Sequence, residues 1–135
     1  MSTRANIVFL DTFCKENYQY ISKNANVILY NHSDGYPEGL GADLKEFFKL
    51  EPALNNLHDA EYLSAWCLKY IMDNGYDVSK SSDWNDYDGK GFGICETIHT
   101  DIDYLYVYYS DIKELRTYEY DYYKLELVET VKCGA

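Results

Sequence analysis

Residues 4–10 read RANIVFL, and the last four of them form the first continuous apolar run of the chain. An apolar run of this length is typical of a strand that is buried on both faces of a sheet. Residues 27–30 read VILY and repeat the pattern, so they predict a second central strand. We therefore expect the two strands to form the middle of a sheet.

Two helices are predicted downstream of these strands. The first has one apolar stripe at helical spacing, formed by Leu40, Leu44, Phe47 and Phe48. It should end before Pro52, which cannot continue a helix. The second is predicted from Asp59, which suits an N-cap, to Asn74, ahead of a glycine at the C′ position. Its buried face is predicted to consist of Tyr62, Leu63, Trp66, Tyr70 and Ile71.

The segment after the second helix is polar. Residues 79–93 are rich in turn-forming residues, which predicts the most mobile loop of the chain. This segment does not fit a calcium-binding loop. Asp88 stands where the sharp turn of such a loop needs glycine, and Ile94 stands where the loop needs an acidic ligand.

The last third of the chain predicts β-structure. Residues 102–109 and 116–122 alternate with period two, which indicates a hairpin with a turn at 110–113. We expect two opposing rows of tyrosines on this hairpin, namely Tyr104, Tyr106 and Tyr108 opposite Tyr118, Tyr120 and Tyr122. Residues 125–131 predict a last strand. The order of elements predicts an α+β fold, a single domain in which two helices pack on one face of an antiparallel sheet.

Composition restricts the classes of ligand. The chain has 135 residues, and 12 Lys and Arg against 23 Asp and Glu give a net charge of −11 at pH 7. This balance disfavours direct binding to nucleic acids, which depends on cationic contacts to phosphates, and binding to anionic membranes. Only two arginines occur, Arg4 and Arg116, so an anionic ligand has few bidentate partners.

The sequence favours a cytoplasmic protein. The apolar run at residues 7–10 is shorter than the signal-peptide core of about 7–15 residues, and no run approaches the ~20 residues of a membrane span. The cysteines are scattered without C-x-x-C spacing, at Cys14, Cys67, Cys95 and Cys133. We expect free thiols, with Cys67 buried on a helix, and we expect no metal site and no cofactor.

The loop at residues 30–41 reads YNHSDGYPEGLG and concentrates polar side chains on a backbone that three glycines and one proline constrain. His32 and Asp34 stand two residues apart, so on an extended backbone they point to the same side and the carboxylate could orient the imidazole. In the alternative interpretation, Ser33 and Asp34 accept hydrogen bonds from turn amides, while the proline and glycines shape the entry to the helix.

Residues 2–7, STRANI, together with residues 30–41 resemble a family of small, mostly uncharacterised bacterial and phage proteins. Its members open with a Ser-Thr-Arg-Ala strand and carry a Tyr-x-His-x-Asp-Gly-Tyr-Pro-Glu-Gly segment before the first helix. Residues 103–107, DYLYV, resemble a third landmark of the family. The resemblance implies a phage or prophage origin and carries over no activity. It also implies that five residues act together, namely Arg4, His32, Asp34, Tyr36 and Glu38. In the alternative interpretation, a buried Arg4–Asp34 ion pair fixes the loop.

The tyrosine rows of the predicted hairpin form a second candidate surface. Tyrosine rings offer stacking surface to a nucleobase or to a protein partner. Arg116 lies in phase with one row and favours an anionic or carbonyl-bearing ligand. The ligand-binding residues predicted on this surface are Tyr104, Tyr106, Tyr118, Tyr120 and Arg116. In the alternative interpretation, half of the rings pack beneath the helices with their hydroxyls at the rim.

Three functional hypotheses remain open at this point. The first is a non-enzymatic binding protein, a phage anti-defence sponge that sequesters a nucleotide-derived immune signal; a homo-oligomer could gather its few cations around one pocket. The second is an acidic inhibitor that binds a host protein as a nucleic-acid mimic.

The third hypothesis is a small hydrolase or phosphodiesterase that uses His32 and Asp34 as an acid–base pair. The three histidines, His32, His58 and His99, lack metal-ligand spacing. Because no nucleophile and base are paired in the sequence, we expect a protein that is not an enzyme.

Overall fold

The computed structural model describes residues 3–13, 15–75 and 91–134. The strands in these ranges are β1 (Ala5–Leu10), β2 (Val27–Asn31), β3 (Phe92–Cys95), β4 (Tyr104–Tyr109), β5 (Glu114–Asp121) and β6 (Lys124–Lys132). The helices are α1 (Tyr18–Asn24), α2 (Ala42–Phe47), α3 (Glu51–Leu54) and α4 (Ala60–Gly75), and a π-helical turn at Pro37–Gly41 leads into α2. Most of the predicted mobile loop, residues 79–90, lies outside the described ranges.

The described strands form one six-stranded mixed sheet in the order β3-β2-β1-β4-β5-β6. β1 pairs with β4 in parallel, with Ala5 opposite Tyr104 and Leu10 opposite Tyr109. The other pairings among the described strands are antiparallel. The α+β prediction is therefore confirmed, and the prediction of an antiparallel sheet is wrong at its centre. A parallel pair needs a long crossover connection, which the many residues between β1 and β4 supply.

Both faces of the sheet are covered. β1 is a central strand, as predicted, and it alternates its side chains between two cores: Ala5, Ile7 and Phe9 point to the first, Val8 and Leu10 to the second. The first core includes helix residues Leu44, Ala53, Leu63, Cys67 and Ile71. The second core includes Ile21 of α1 with Leu105, Val107, Tyr109 and Tyr118. We call the two sides the first face and the second face. The residues of both predicted helices lie in the first core, whereas α1, which the sequence pattern did not predict, packs against the second face.

The hairpin of β4 and β5 is confirmed, but its register separates the two tyrosine rows. Leu105 lies opposite Tyr118, and Tyr106 lies opposite Thr117. Cross-strand partners point to the same face of a sheet. One row therefore points to the first face, namely Tyr104, Tyr106 and Tyr108, while Tyr118 and Tyr120 point to the second. The prediction that the rows oppose each other is wrong.

Side-chain caps set two helix starts. The Asp59 carboxylate accepts hydrogen bonds from the backbone N–H groups of Glu61 at 3.1 Å and Tyr62 at 3.0 Å, which confirms the predicted N-cap of α4. The Asn17 side chain accepts from the N–H of Tyr20 at 2.7 Å and caps α1. The sequence pattern did not predict α1.

The buried face of α4 differs in part from the prediction. Leu63 and Ile71 are buried as expected, and Tyr70 packs partly buried against the first core. Tyr62 and Trp66 are 67% and 44% exposed, so the prediction is wrong at these positions. Smaller buried side chains make the contact instead, namely Ala60, Ser64 and Cys67. The apolar stripe predicted for the first helix is buried throughout, at Leu40, Leu44, Phe47 and Phe48.

Within the described residues, no helix has the length and apolar character that crossing a membrane requires. The thiols of Cys67, Cys95 and Cys133 are free, and Cys67 is buried on α4 as predicted. Cys14 lies outside the described residues.

Candidate functional site

The loop that follows β2 is held against the sheet by close backbone contacts. The buried Tyr106 hydroxyl donates a hydrogen bond to the Gly35 carbonyl at 2.7 Å. A Cβ added at Gly35 would lie 2.9 Å from the Cβ of Ala5. A Cβ added at Gly39 would lie 2.5 Å from the Asp34 carbonyl oxygen. Gly35 and Gly39 are therefore required by the packing of the loop.

A small cavity of about 150 Å³ opens between this loop and Ile71 of α4. Its lining includes the carboxyl side chains of Asp34, Glu38 and Asp43. The Tyr36 hydroxyl, also at the cavity, lies 3.5 Å from the Asp34 carboxylate. A lining of several carboxylates favours a cationic group and disfavours a phosphate.

Arg4 lies on the chain just before β1 and pairs with residues that precede β4. Its Nη1 is 3.1 Å from the Asp101 carboxylate, and its backbone N–H donates to the Asp103 carboxylate at 3.2 Å. Its Nε is buried without a hydrogen-bond partner among the described residues. The hypothesis of an Arg4–Asp34 ion pair is wrong, because the carboxylate partner of the guanidinium is Asp101.

Two histidine rings surround Tyr30 beside this arginine. The Tyr30 hydroxyl is hydrogen-bonded to Nδ1 of His32 at 2.8 Å, and the Tyr30 ring stacks on His99 with centroids 4.3 Å apart and planes at 17°. Nδ1 of His99 is 3.8 Å from the Asp101 carboxylate. Burial raises the pKa of the Tyr30 hydroxyl, which therefore keeps its proton at neutral pH. We call Arg4, Tyr30, His32, His99 and Asp101 the Arg4 cluster.

The sheet fixes the segment that carries His99. Asn6 is fully buried on β1, and its side-chain oxygen accepts the His99 backbone N–H at 2.8 Å. Its side-chain nitrogen donates to the Leu29 carbonyl of β2 at 2.9 Å. Ile98 and Ile102 are buried in the second core on either side of this contact. The cluster is therefore positioned by the central strands.

Cys95, the last residue of β3, touches the same cluster. Its Sγ lies 3.3 Å from Nε2 of His99 and 3.8 Å from the side-chain nitrogen of Asn6. Burial raises the pKa of the Cys95 thiol, and the contact with Asn6 partly opposes this shift. The sequence carries a signal for this contact in the spacing Cys95-x-x-x-His99-x-Asp101. The interpretation that no nucleophile and base are paired in the sequence is therefore wrong at this position.

The structure divides the residues that the family resemblance groups together. Arg4 and His32 belong to the Arg4 cluster, whereas Asp34, Tyr36 and Glu38 line the acidic cavity. His32 bonds a tyrosine hydroxyl instead of Asp34, so the predicted acid–base pair is not formed. Among the described residues, no group of three or more His, Cys, Asp and Glu side chains is placed to hold a metal ion.

The predicted tyrosine surface is mostly interior. Three of its residues are buried, namely Tyr106, Tyr118 and Tyr120, and Tyr104 is half-buried. Arg116 is 17% exposed and pairs with Glu16 at 2.8 Å and Glu114 at 2.7 Å. Its guanidinium also lies over the Phe13 ring, 4.6 Å from the centroid. These side chains already bind one another, so the structure does not present them as a stacking surface for a ligand.

No family model, curated protein or solved structure matches this chain. The resemblance of residues 2–7 and 30–41 to a family of bacterial and phage proteins therefore stays a prediction.

Proposed function

We propose that the chain is a binding protein that holds a small, nucleotide-like anion at the Arg4 cluster. The observation that carries this proposal is the guanidinium of Arg4, whose side chain is 37% exposed while its buried Nε has no partner among the described residues. A buried donor without a partner calls for an acceptor from a ligand or a water molecule. The planar fork of a guanidinium matches the geometry of a phosphate.

The stacked rings beside Arg4 supply a surface for a planar base. Tyr30 covers one side of the His99 ring, and 39% of the His99 side chain is exposed. Stacking of a base on an aromatic ring contributes about 1–3 kcal/mol. The Tyr30 hydroxyl and His32 add hydrogen-bonding groups at the edge of this surface.

The carboxylate of Asp101 is compatible with an anionic ligand. It is 57% exposed, and an ion pair at such a surface contributes only about 0–1 kcal/mol. A phosphate that accepts two hydrogen bonds from Arg4 gains more than the loss of this pair costs. Asp101 then remains as an acceptor for the hydroxyls of a ribose. The net charge of −11 opposes the approach of an anion, so we expect micromolar affinity that depends on salt.

Titration calorimetry tests this proposal with ADP-ribose, cyclic AMP and a cyclic dinucleotide as probes. We expect heat from at least one probe, and a loss of affinity of about 10- to 100-fold in Arg4→Gln, because a hydrogen bond to a charged group contributes about 1.5–3 kcal/mol. Lys49→Gln is the matched control, since it removes one positive charge from an exposed side chain of the segment after α2. The proposal fails if no probe gives heat, or if both variants bind equally well.

A further inference from the structure

A thiol, an imidazole and a carboxylate stand in line at the edge of the sheet. Cys95 Sγ is 3.3 Å from Nε2 of His99, and Nδ1 of the same ring is 3.8 Å from Asp101. Activated nucleophiles share this order of nucleophile, base and orienting group. We infer that Cys95 is a nucleophile toward small activated acyl groups, such as thioesters and activated esters, with His99 as its general base. This inference goes beyond the proposed ligand binding and does not rest on it.

Asp101 orients the base. Arg4 Nη1 holds one carboxylate oxygen at 3.1 Å, and the other oxygen faces Nδ1 of His99. A proton on Nδ1 then points to the carboxylate, which leaves Nε2 as the acceptor for the S–H of Cys95. Asp101 is a positioning residue in this arrangement, because it acts through the imidazole.

The base and the nucleophile are held by different strands of one sheet. The His99 ring is stacked on Tyr30 of β2, and its backbone is anchored by Asn6 of β1. Cys95 is fixed by the pairing of β3 with β2, where it lies opposite Ile28. Groups that are held in this way need little reorganisation when a reaction begins.

Asn6 also supplies a donor for the developing negative charge. One N–H of its side-chain amide donates to a backbone carbonyl, and the same nitrogen is 3.8 Å from Cys95 Sγ. This contact directs the second N–H to the sulfur, where it stabilises the negative charge of the attacking thiolate. Side-chain amides serve as such donors in acyl transfer.

The reaction balances without a further reagent besides water. The sulfur of Cys95 attacks the acyl carbon while its proton passes to Nε2 of His99, and the bond from the acyl carbon to the leaving group breaks. The imidazolium gives this proton to the leaving group or to solvent and is neutral again. Water then attacks the thioester and gives a proton to His99. The carbon–sulfur bond breaks, the carboxylic acid leaves, and the thiol regains its proton from the imidazolium.

The environment of the thiol makes the reaction depend on the base. Burial raises the pKa of the Cys95 thiol, so the resting group is neutral. The charged and titratable groups that face the pair are Arg4, Tyr30, His32 and Asp101. The reaction of the neutral thiol therefore needs the imidazole as the acceptor of its proton.

Acylation by 4-nitrophenyl acetate at neutral pH, with release of nitrophenolate and peptide mapping by mass spectrometry, tests the inference. We expect the acetyl group on Cys95 and a rate that is at least about tenfold lower in His99→Gln, because general-base catalysis contributes about 10²–10⁴-fold. His58→Gln is the matched control, since it changes an exposed histidine in the segment before α4. Its rate should equal that of the unmodified protein.

The pH profile separates a catalytic role from a structural one. In His99→Gln the rate should follow ionisation of the thiol into the alkaline range. In Asp101→Asn the rate should fall less than in His99→Gln, because the imidazole is still present and only its orientation is lost. Thermal unfolding verifies that each variant is folded. Acetyl groups on other residues, or the same rate and profile in folded His99→Gln as in the unmodified protein, would overturn the inference.

Discussion

Gly39 has no room for a side chain, whereas Gly93 in β3 has open space around its α-carbon. A Cβ at Gly39 would lie 2.5 Å from a backbone oxygen, and a Cβ at Gly93 would meet no described atom within 4 Å. We expect Gly39→Ala to lower the free energy of unfolding by about 1–3 kcal/mol, because the backbone of the loop must shift. Gly93→Ala is the control and should stay within about 0.5 kcal/mol of the unmodified protein.

Urea unfolding measures both glycine variants. Equal midpoints for Gly39→Ala and Gly93→Ala would show that the loop after β2 relaxes freely around the added methyl group. In that case the glycines of this loop would need another explanation, such as the approach of a ligand to the backbone.

At the scale of elements, Glu16 ties the segment before α1 to β5. Tyr118 donates a hydrogen bond to its carboxylate at 2.6 Å, and Arg116 pairs with it at 2.8 Å. Burial raises the pKa of Glu16, but the hydrogen bonds from Tyr118 and Arg116 outweigh burial, so its pKa lies below the ordinary value of about 4.5. A carboxylate with a lowered folded-state pKa stabilises the fold above its unfolded-state pKa, and this contribution is lost as the pH falls through the folded-state value.

Glu16→Gln should therefore unfold at a lower temperature than the unmodified protein at neutral pH, and the difference should shrink as the pH falls below about 4.5. Thermal unfolding between about pH 7 and about pH 3 measures this trend. Glu126→Gln on β6 is the control, because its carboxylate is exposed, and its curve should follow that of the unmodified protein. A difference between Glu16→Gln and the unmodified protein that is constant over pH would contradict the prediction.

Central strands were readily predicted from sequence, and the register of the hairpin was not. The apolar runs of β1 and β2 are long enough to indicate burial on both faces. In the hairpin, Tyr109 pairs with Glu114 across a connection of four residues. An even number of connecting residues places even-numbered positions of β4 opposite odd-numbered positions of β5. One residue more or fewer in the connection would turn the side chains of β5 to the opposite face of the sheet. The composition of the chain does not determine the length of this connection.

The sequence patterns also failed to predict the helix and the strand that contain few buried apolar residues. α1 contributes Ile21 as its buried residue, and β3 is four residues long with Ile94 exposed. On α4, Tyr62 and Trp66 were predicted on the buried face, but both are exposed. The buried face of this helix instead carries smaller side chains, at Ala60, Ser64 and Cys67.

The Arg4 cluster could not be predicted from the sequence, because the topology of the sheet brings its residues together. Arg4 was identified as a candidate, and its partner Asp101 was not, because the two meet only when β1 and β4 pair in parallel. The contact of Cys95 with His99 is local in the chain, so their spacing of four residues is a signal that the sequence itself carries.

For the whole molecule, the charge of −11 implies repulsion among surface carboxylates. Raising NaCl from about 10 mM to about 200 mM shortens the range of this repulsion. Salt also weakens the exposed ion pairs of Lys49 with Glu46 and of Lys69 with Asp73. This costs little stability, because such pairs contribute about 0–1 kcal/mol. We expect the midpoint of thermal unfolding to rise by about 2–5 °C over this range. A midpoint that falls with salt would mean that attractive pairs outweigh the repulsion.

The parallel pairing at the centre of the sheet also determines when the fold can be completed. Arg4 and Asp103, which meet beside this pairing, are 99 positions apart in the chain. A ribosome delivers β1 and β2 well before β3 and β4, so the early pair of strands exposes both of its edges throughout most of synthesis. Closing so long a connection is entropically costly and slows folding. The nascent chain is therefore exposed to aggregation until its last third emerges, and a chaperone that covers the free edge of β1 would act in this interval.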